Sequence, residues 1–174
     1  MQIINLFGAP GSGKSTCASF LFYQLRLQHI DCELTGEFPK ELRWEGRDIA
    51  RKNHIFIFAN HLYKIECLQK EAEVIISDSP LPLSIFYNDN PHIHEELSNL
   101  ILKVNSTFSA TNYLLIRDFP YSKVGRYQTE EESDDLNHKL RDFLTSNDIQ
   151  FVELKSNIDS YKHILNEVIN KFKL

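Results

Sequence analysis

No stretch constrains the chain more than Gly8-Ala9-Pro10-Gly11-Ser12-Gly13-Lys14-Ser15 near its start. It matches G-x-x-x-x-G-K-[ST], the P-loop pattern, which carries meaning when a strand precedes it and a helix follows. Both flanks are present. Ile3-Ile4-Asn5-Leu6-Phe7 is short, mostly apolar and β-prone, as a buried parallel strand should be. Cys17, Phe20, Leu21 and Leu25 follow at the spacing of one face of an amphipathic helix. The glycines let the backbone curl so that successive N–H groups point at phosphate oxygens, and the helix N-terminus adds partial positive charge there. Lys14 is expected to reach the β- and γ-phosphates, and the Ser15 hydroxyl to bind Mg²⁺. The stretch from Gly8 through Thr16 therefore reads as a site for a nucleoside triphosphate, taken as ATP.

Composition narrows the rest. With 174 residues, 42% of them hydrophobic and 25% charged, the chain suits one domain spanning 1–174. A net charge of −5 supplies no global field toward nucleic acid or an anionic membrane, although a local basic groove can coexist with it. Cys17, Cys32 and Cys67 form no C-x-x-C pair and read as reduced thiols, which fits a cytoplasmic protein. The first strand begins almost at once, leaving no room for a leader, and no apolar run approaches the ~18 residues of a membrane span. The expectation is a soluble monomer or homodimer.

Along the chain, the first helix is expected from Ser15 to about Gln28 and a second strand from Ile30 to Thr35, ended by Gly36. Glu37 to Lys40 reads as a loop at that strand's carboxyl end, the side where open α/β sheets bind ligands. From about Glu41 to Glu71 the pattern is helical, with Ile55, Phe58, Ala59, Leu62 and Ile65 as its stripe. Within it Ile55–Phe58 is also compatible with a short buried strand, and length favours the helix. Val74 to Asp78 is the cleanest later strand, and Ser79-Pro80 has the form of a helix start. Ile93, Leu97, Leu100, Ile101, Val104 and Phe108 mark a long amphipathic helix, and Tyr113–Ile116 a fourth strand. Thr129 and Glu132 form a capping box that opens a helix bearing Leu136, Leu140, Phe143 and Leu144. Gln150–Leu154 is a fifth strand, and Ile164 to Phe172 pattern the last helix. Strands alternating with helices imply a parallel sheet covered on both faces: a three-layer α/β sandwich.

The P-loop, the strand ending in Asp78 and the basic stretch before Thr129 together resemble the small P-loop kinases of the nucleoside and nucleotide kinase group, in particular compact phage-type and NadR-like kinases. The likeness in layout covers nearly the whole chain, with the P-loop as its specific motif. It implies a five-stranded sheet in the order 2-3-1-4-5 and a lid, here at approximately 117–128. It also implies that Asp78 lies beside the P-loop and holds Mg²⁺ together with Ser15, through water, since a hard cation among phosphates takes oxygen ligands. Many such kinases place Arg after this Asp, whereas this chain has Ser79-Pro80. Glu37, at the end of the second strand, matches the family's base for a hydroxyl acceptor, whose proton must leave as the new O–P bond forms. A phosphate acceptor needs no such base.

Arg43, Trp44, Arg47 and Arg51 form an acceptor-side candidate cluster, with Trp44 able to stack on a base, Phe38 as a second wall, and Arg43 and Arg47 one helical turn apart. Arg117 to Arg126 resembles the family's lid: Arg117 and Arg126 would neutralise the transferring phosphoryl group, and Gly125 offers a hinge. His92-Ile93-His94 has no third spaced ligand for zinc. The leading expectation is an ATP- and Mg²⁺-dependent kinase of a small nucleoside- or nucleotide-like acceptor at a hydroxyl, with Lys14, Glu37, Asp78, Arg117 and Arg126 as catalytic residues. The open alternatives are a kinase acting on DNA, at a hydroxymethyl base or 5′-hydroxyl, and an ATPase switch with no acceptor.

Overall fold

The computed structural model describes residues 1–121 and 129–172. Its centre is a five-stranded, wholly parallel sheet in the order β2-β3-β1-β4-β5. The strands are β1 (Gln2–Phe7), β2 (Cys32–Leu34), β3 (Val74–Ser77), β4 (Ala110–Arg117) and β5 (Val152–Ser156). Around them run α1 (Lys14–Leu27), α2 (Phe38–Trp44), α3 (Asp48–Lys52), α4 (His54–Leu68), α5 (Leu83–Phe86), α6 (His94–Asn105), α7 (Glu130–Ser146) and α8 (Ile158–Phe172).

Side-chain alternation on the central strands builds two apolar layers. Ile4, Leu6, Val74, Ile76, Tyr113 and Leu115 pack under α1 and α8, while Ile3 and Ile75 face α4, α5 and α6. Phe7 and Leu114 complete the second side against Leu140 and Leu144 of α7. Because both faces are covered, these strands read as near-continuous apolar runs rather than alternating ones. The expected three-layer α/β P-loop fold is the observed one.

Several local readings change. Glu37 to Lys40 is not a loop throughout: α2 starts at Phe38 with Pro39 in its first turn, where a missing N–H costs nothing. The helical stretch 41–71 breaks twice. Gly46 (φ +71°) ends α2's extension, and Asn53 restarts the chain as N-cap of α4, its side chain accepting from Phe56 N at 3.0 Å. Ile55–Phe58 is helical, but the buried stripe is Ile57, Phe58, His61 and Ile65, leaving Ile55 exposed. Ser79-Pro80 does not start a helix: Leu83 N donates to Pro80 O in a turn, and α5 begins at Leu83. The fifth strand is shifted to Val152–Ser156, where it pairs with Tyr113–Arg117. The capping box of Thr129 and Glu132 is present with both bonds.

Candidate active site

The sheet brings the two phosphate-side segments together by register. Asn5 pairs with Ser77, so the P-loop leaving β1 and Asp78 leaving β3 emerge as neighbours at the carboxyl edge. The loop is a backbone device. Gly8 has φ +148°, and a Cβ there would collide with the Ser12 side chain and the carbonyl of Leu115. Gly13 has φ +89° as N-cap of α1, and a Cβ there would run into Ser156 and Tyr161, which are hydrogen-bonded to each other at 2.6 Å. The N-terminus of α1, the positive end of its dipole, follows directly on the loop.

Lys14 folds over the loop, Nζ donating to Gly8 O at 2.7 Å and Ala9 O at 3.1 Å. Ser15 Oγ donates to Asp78 Oδ2 at 2.8 Å. A hydroxyl and a carboxylate oxygen side by side, next to a phosphate cradle, are hard donors that fit Mg²⁺ completed by water and phosphate. Among the described residues no group of three or more His, Cys, Asp or Glu could hold a metal ion. The loop is braced from behind by α7. Asn137 Oδ1 accepts from Ala9 N at 2.7 Å, and Ser133 Oγ donates to Pro10 O at 2.8 Å, both side chains being buried.

A single cleft of about 710 Å³ runs from this loop to α2, α3 and α5, a size suited to small ligands. Gly8, Pro10, Gly11, Gly13, Lys14, Ser15, Thr16, Asp78, Glu37, Arg43 and Trp44 all line it. Trp44 is 74% exposed and carries the Lys40 ammonium 5.2 Å from its ring centroid, so it is a cleft wall and not a core residue. Ala9 and Ser12 lie buried within the loop, Ser12 Oγ without a partner among the described residues.

Three candidates lie elsewhere. Phe38, the first residue of α2, is half-buried against α4, 5.4 Å from Phe56 and 6.5 Å from His61, and does not line the cleft. Arg47 is beyond the end of α2, so it is not one turn from Arg43; it pairs with Glu45 at 3.3 Å and lies over Phe56. Arg117 has only 10% of its side chain exposed and is clamped to Glu130 and Asp134 of α7 at 2.5 and 2.6 Å, so its charge is spent on joining β4 to α7 rather than on the cleft. Arg126 and Gly125 lie outside the described residues.

Arg51, expected in the acceptor-side cluster, lines the cleft too, and the sequence reading passed over Lys40, Lys52, His54, Tyr87 and Asp89, which also line it. Burial lowers the His54 pKa against the pull of Asp89, and burial with the nearby Glu37 charge pushes the Tyr87 phenol up to about 12. It also passed over Ser133 and Asn137, whose signal was present: two polar residues on the stripe that continues through Leu140 and Leu144.

The family model described as AAA domain matches residues 3–160. Deoxyadenosine kinase from M. mycoides, solved with bound dATP, is similar with a TM-score of 0.58 at 18% identity, the match covering 100% of this chain and 100% of that one. Shikimate kinase from Aquifex aeolicus gives a TM-score of 0.48 at 19% identity over 99% of this chain and 96% of that one. No curated protein matches the sequence.

Proposed function

The chain belongs to the AAA domain family, and from that premise we propose that it is an ATP-dependent phosphotransferase acting on a hydroxyl of a small nucleoside- or nucleotide-like acceptor. One observation carries the reading: the P-loop with Ser15 and Asp78, and Glu37 with Trp44, line the same cleft. A donor triphosphate and an acceptor can therefore meet inside one chain.

The chemistry follows from those residues. The loop amides and Lys14 Nζ, once it leaves the carbonyls of Gly8 and Ala9, hold the β- and γ-phosphates and match the charge that spreads over the transferring group. Mg²⁺ held by Ser15 and by Asp78 through water would supply further charge neutralisation at the phosphates. The acceptor lies against Trp44; its hydroxyl attacks the γ-phosphorus in line, the bond to the β–γ bridging oxygen breaks so that ADP leaves, and Glu37 takes the hydroxyl proton. Arg126 keeps its proposed part in charge neutralisation, whereas Arg117 serves as a structural clamp. The bound dATP of deoxyadenosine kinase supports a purine nucleotide as a ligand of this fold, and ATP as the donor here.

The test is a screen of hydroxyl acceptors with labelled ATP, followed by single-turnover transfer with Glu37→Gln. Loss of a general base should slow transfer by ~10²- to 10⁴-fold with acceptor binding little changed. A hydroxyl acceptor phosphorylated at the parent rate removes Glu37 from the site. ATP hydrolysis at full rate without any acceptor overturns the phosphotransferase reading.

A further inference from the structure

Arg117 closes β4, and its guanidinium is shared among three partners. Nη1 donates to Glu130 at 2.5 Å and more weakly to the Phe119 carbonyl at 3.4 Å, and Nη2 donates to Asp134 at 2.6 Å. Glu130, Ser133, Asp134 and Asn137 stand at the i, i+3, i+4, i+7 spacing of one face of α7. On that face Ser133 Oγ holds Pro10 O and Asn137 Oδ1 holds Ala9 N. Phe119 meets the far end of the same loop: a Cβ added to Gly13 would come within 3.2 Å of its ring. Between them Asp118 is fixed by Asn157 Nδ2 at 3.0 Å and Lys155 Nζ at 3.5 Å, so the bracket 117–119 is anchored to the end of β5 as well. The phosphate loop is thus held at its entry by α7 and at its exit by Phe119, and Arg117 is bonded to both holds.

We propose that Arg117 is a positioning residue of the phosphate loop: it touches no ligand but fixes α7 and Phe119 so that Ala9, Pro10 and Gly13 stay in the conformation that cradles phosphate. This rests on the nucleotide-binding part of the reading above and gives Arg117 a task distinct from charge neutralisation at the phosphoryl group. A cradle works only when several amides converge at once. A loop free to relax must be reordered on binding, and that cost is subtracted from the affinity. The guanidinium is suited to the task because its rigid planar fork offers donors in several fixed directions, which an ammonium does not. The two tasks predict opposite signs at Asp134. Removing that carboxylate leaves the surroundings of the loop less negative, which by field alone favours a phosphate ligand. By positioning, the same change frees α7 and weakens the ligand.

The experiment is calorimetric titration of the whole protein with Mg²⁺ and a non-hydrolysable ATP analogue, beside amide hydrogen exchange of the ligand-free protein. Melting curves fix a temperature at which every variant is folded. Asp134→Ala should weaken binding by roughly threefold to tenfold, the range of couplings carried through packed neighbours. Arg117→Lys, which keeps the charge and loses the fork, should weaken it by a similar factor. In Asp134→Ala the peptide spanning Gly8 to Gly13 should exchange faster, because the acceptor of Ala9 N is no longer held in place. The β3 peptide Val74–Ser77 should keep the parent rate. Tighter or unchanged binding in Asp134→Ala overturns the proposal, as does parent-like affinity in Arg117→Lys. Unchanged loop exchange also overturns it, and so does faster exchange in loop and β3 alike, since that is loss of global stability rather than of loop position. A parent protein that binds no analogue removes the nucleotide reading alone. Loop exchange in Asp134→Ala then decides by itself whether Arg117 holds the loop.

Discussion

The two ends of the cleft are built in opposite ways. The end at the P-loop, the proposed donor end, is backbone: glycines at positive φ, the N-terminus of α1, and a loop braced by buried side chains of α7. The opposite end, the proposed acceptor end, is side chain: Arg43, Trp44, Arg51 and Lys52 on two short helices, α2 and α3, with Ile49 of α3 89% exposed. Changes to the loop's backbone and its α7 braces act through burial and lost hydrogen bonds, so they are felt in folding as well as binding, whereas Lys14 acts on the ligand. Changes at the acceptor end act through charge in partly solvated surroundings, so they are felt in ligand choice with little effect on the fold.

The sharpest way to break this contrast is Lys14→Ala. Its ammonium touches loop carbonyls rather than core, so the melting temperature should stay near the parent's while phosphoryl transfer falls by roughly 10³-fold or more. Normal turnover by the folded variant would mean that the donor end has been misidentified.

The next largest effect concerns His61, buried beneath the acceptor wall with neither ring nitrogen hydrogen-bonded among the described residues. Burial, with a smaller push from Lys64, lowers its pKa from 6.5 to about 4. The unfolded chain thus binds this proton at higher pH than the folded protein does. Stability from this group is complete above pH 6.5 and is lost as the pH falls toward 4. The loss should reach on the order of 3 kcal/mol, and His61→Leu should remove that part of the acid slope in urea titrations. An unchanged slope would show that α4 holds His61 in contact with water.

Asn137→Ala probes the brace behind the loop. Leaving the buried Ala9 N–H without its acceptor should cost about 1–3 kcal/mol in denaturant unfolding and weaken ATP binding in the same sample. Stability lost with ATP affinity intact would separate the brace from the phosphate cradle. The smallest effect belongs to Arg47→Ala. Its charge is paired with Glu45 on the surface and lies off the cleft, so stability should move by no more than about 0.5 kcal/mol and acceptor binding not at all. A drop in acceptor affinity would place Arg47 in a closed form of the α2–α3 wall.

What could be read in the sequence follows the same divide. The Gly8–Ser15 stretch, the apolar strands at Ile3–Phe7 and Val74–Ser77, and the Thr129–Glu132 cap are local patterns, each carrying its own backbone geometry or burial rule. From them alone came the phosphate loop, the alternating α/β order and the three layers, because a chain that must bury both faces of a parallel sheet has few other arrangements. Tertiary structure decided where side chains point. Arg47 was expected beside Arg43, but Gly46 at φ +71° turns the chain between them. Phe38 was expected in the cleft, and at the start of α2 it packs against Phe56 and His61 of α4 instead. Arg117 looked like any lid cation until Glu130 and Asp134, more than ten residues away, took both ends of its guanidinium. Lys40, Arg43, Arg51 and Lys52 line one cleft only because two helix breaks fold that segment over it. Local pattern determines which elements form; the partner a long charged side chain finds depends on what the fold places opposite it, and that is non-local.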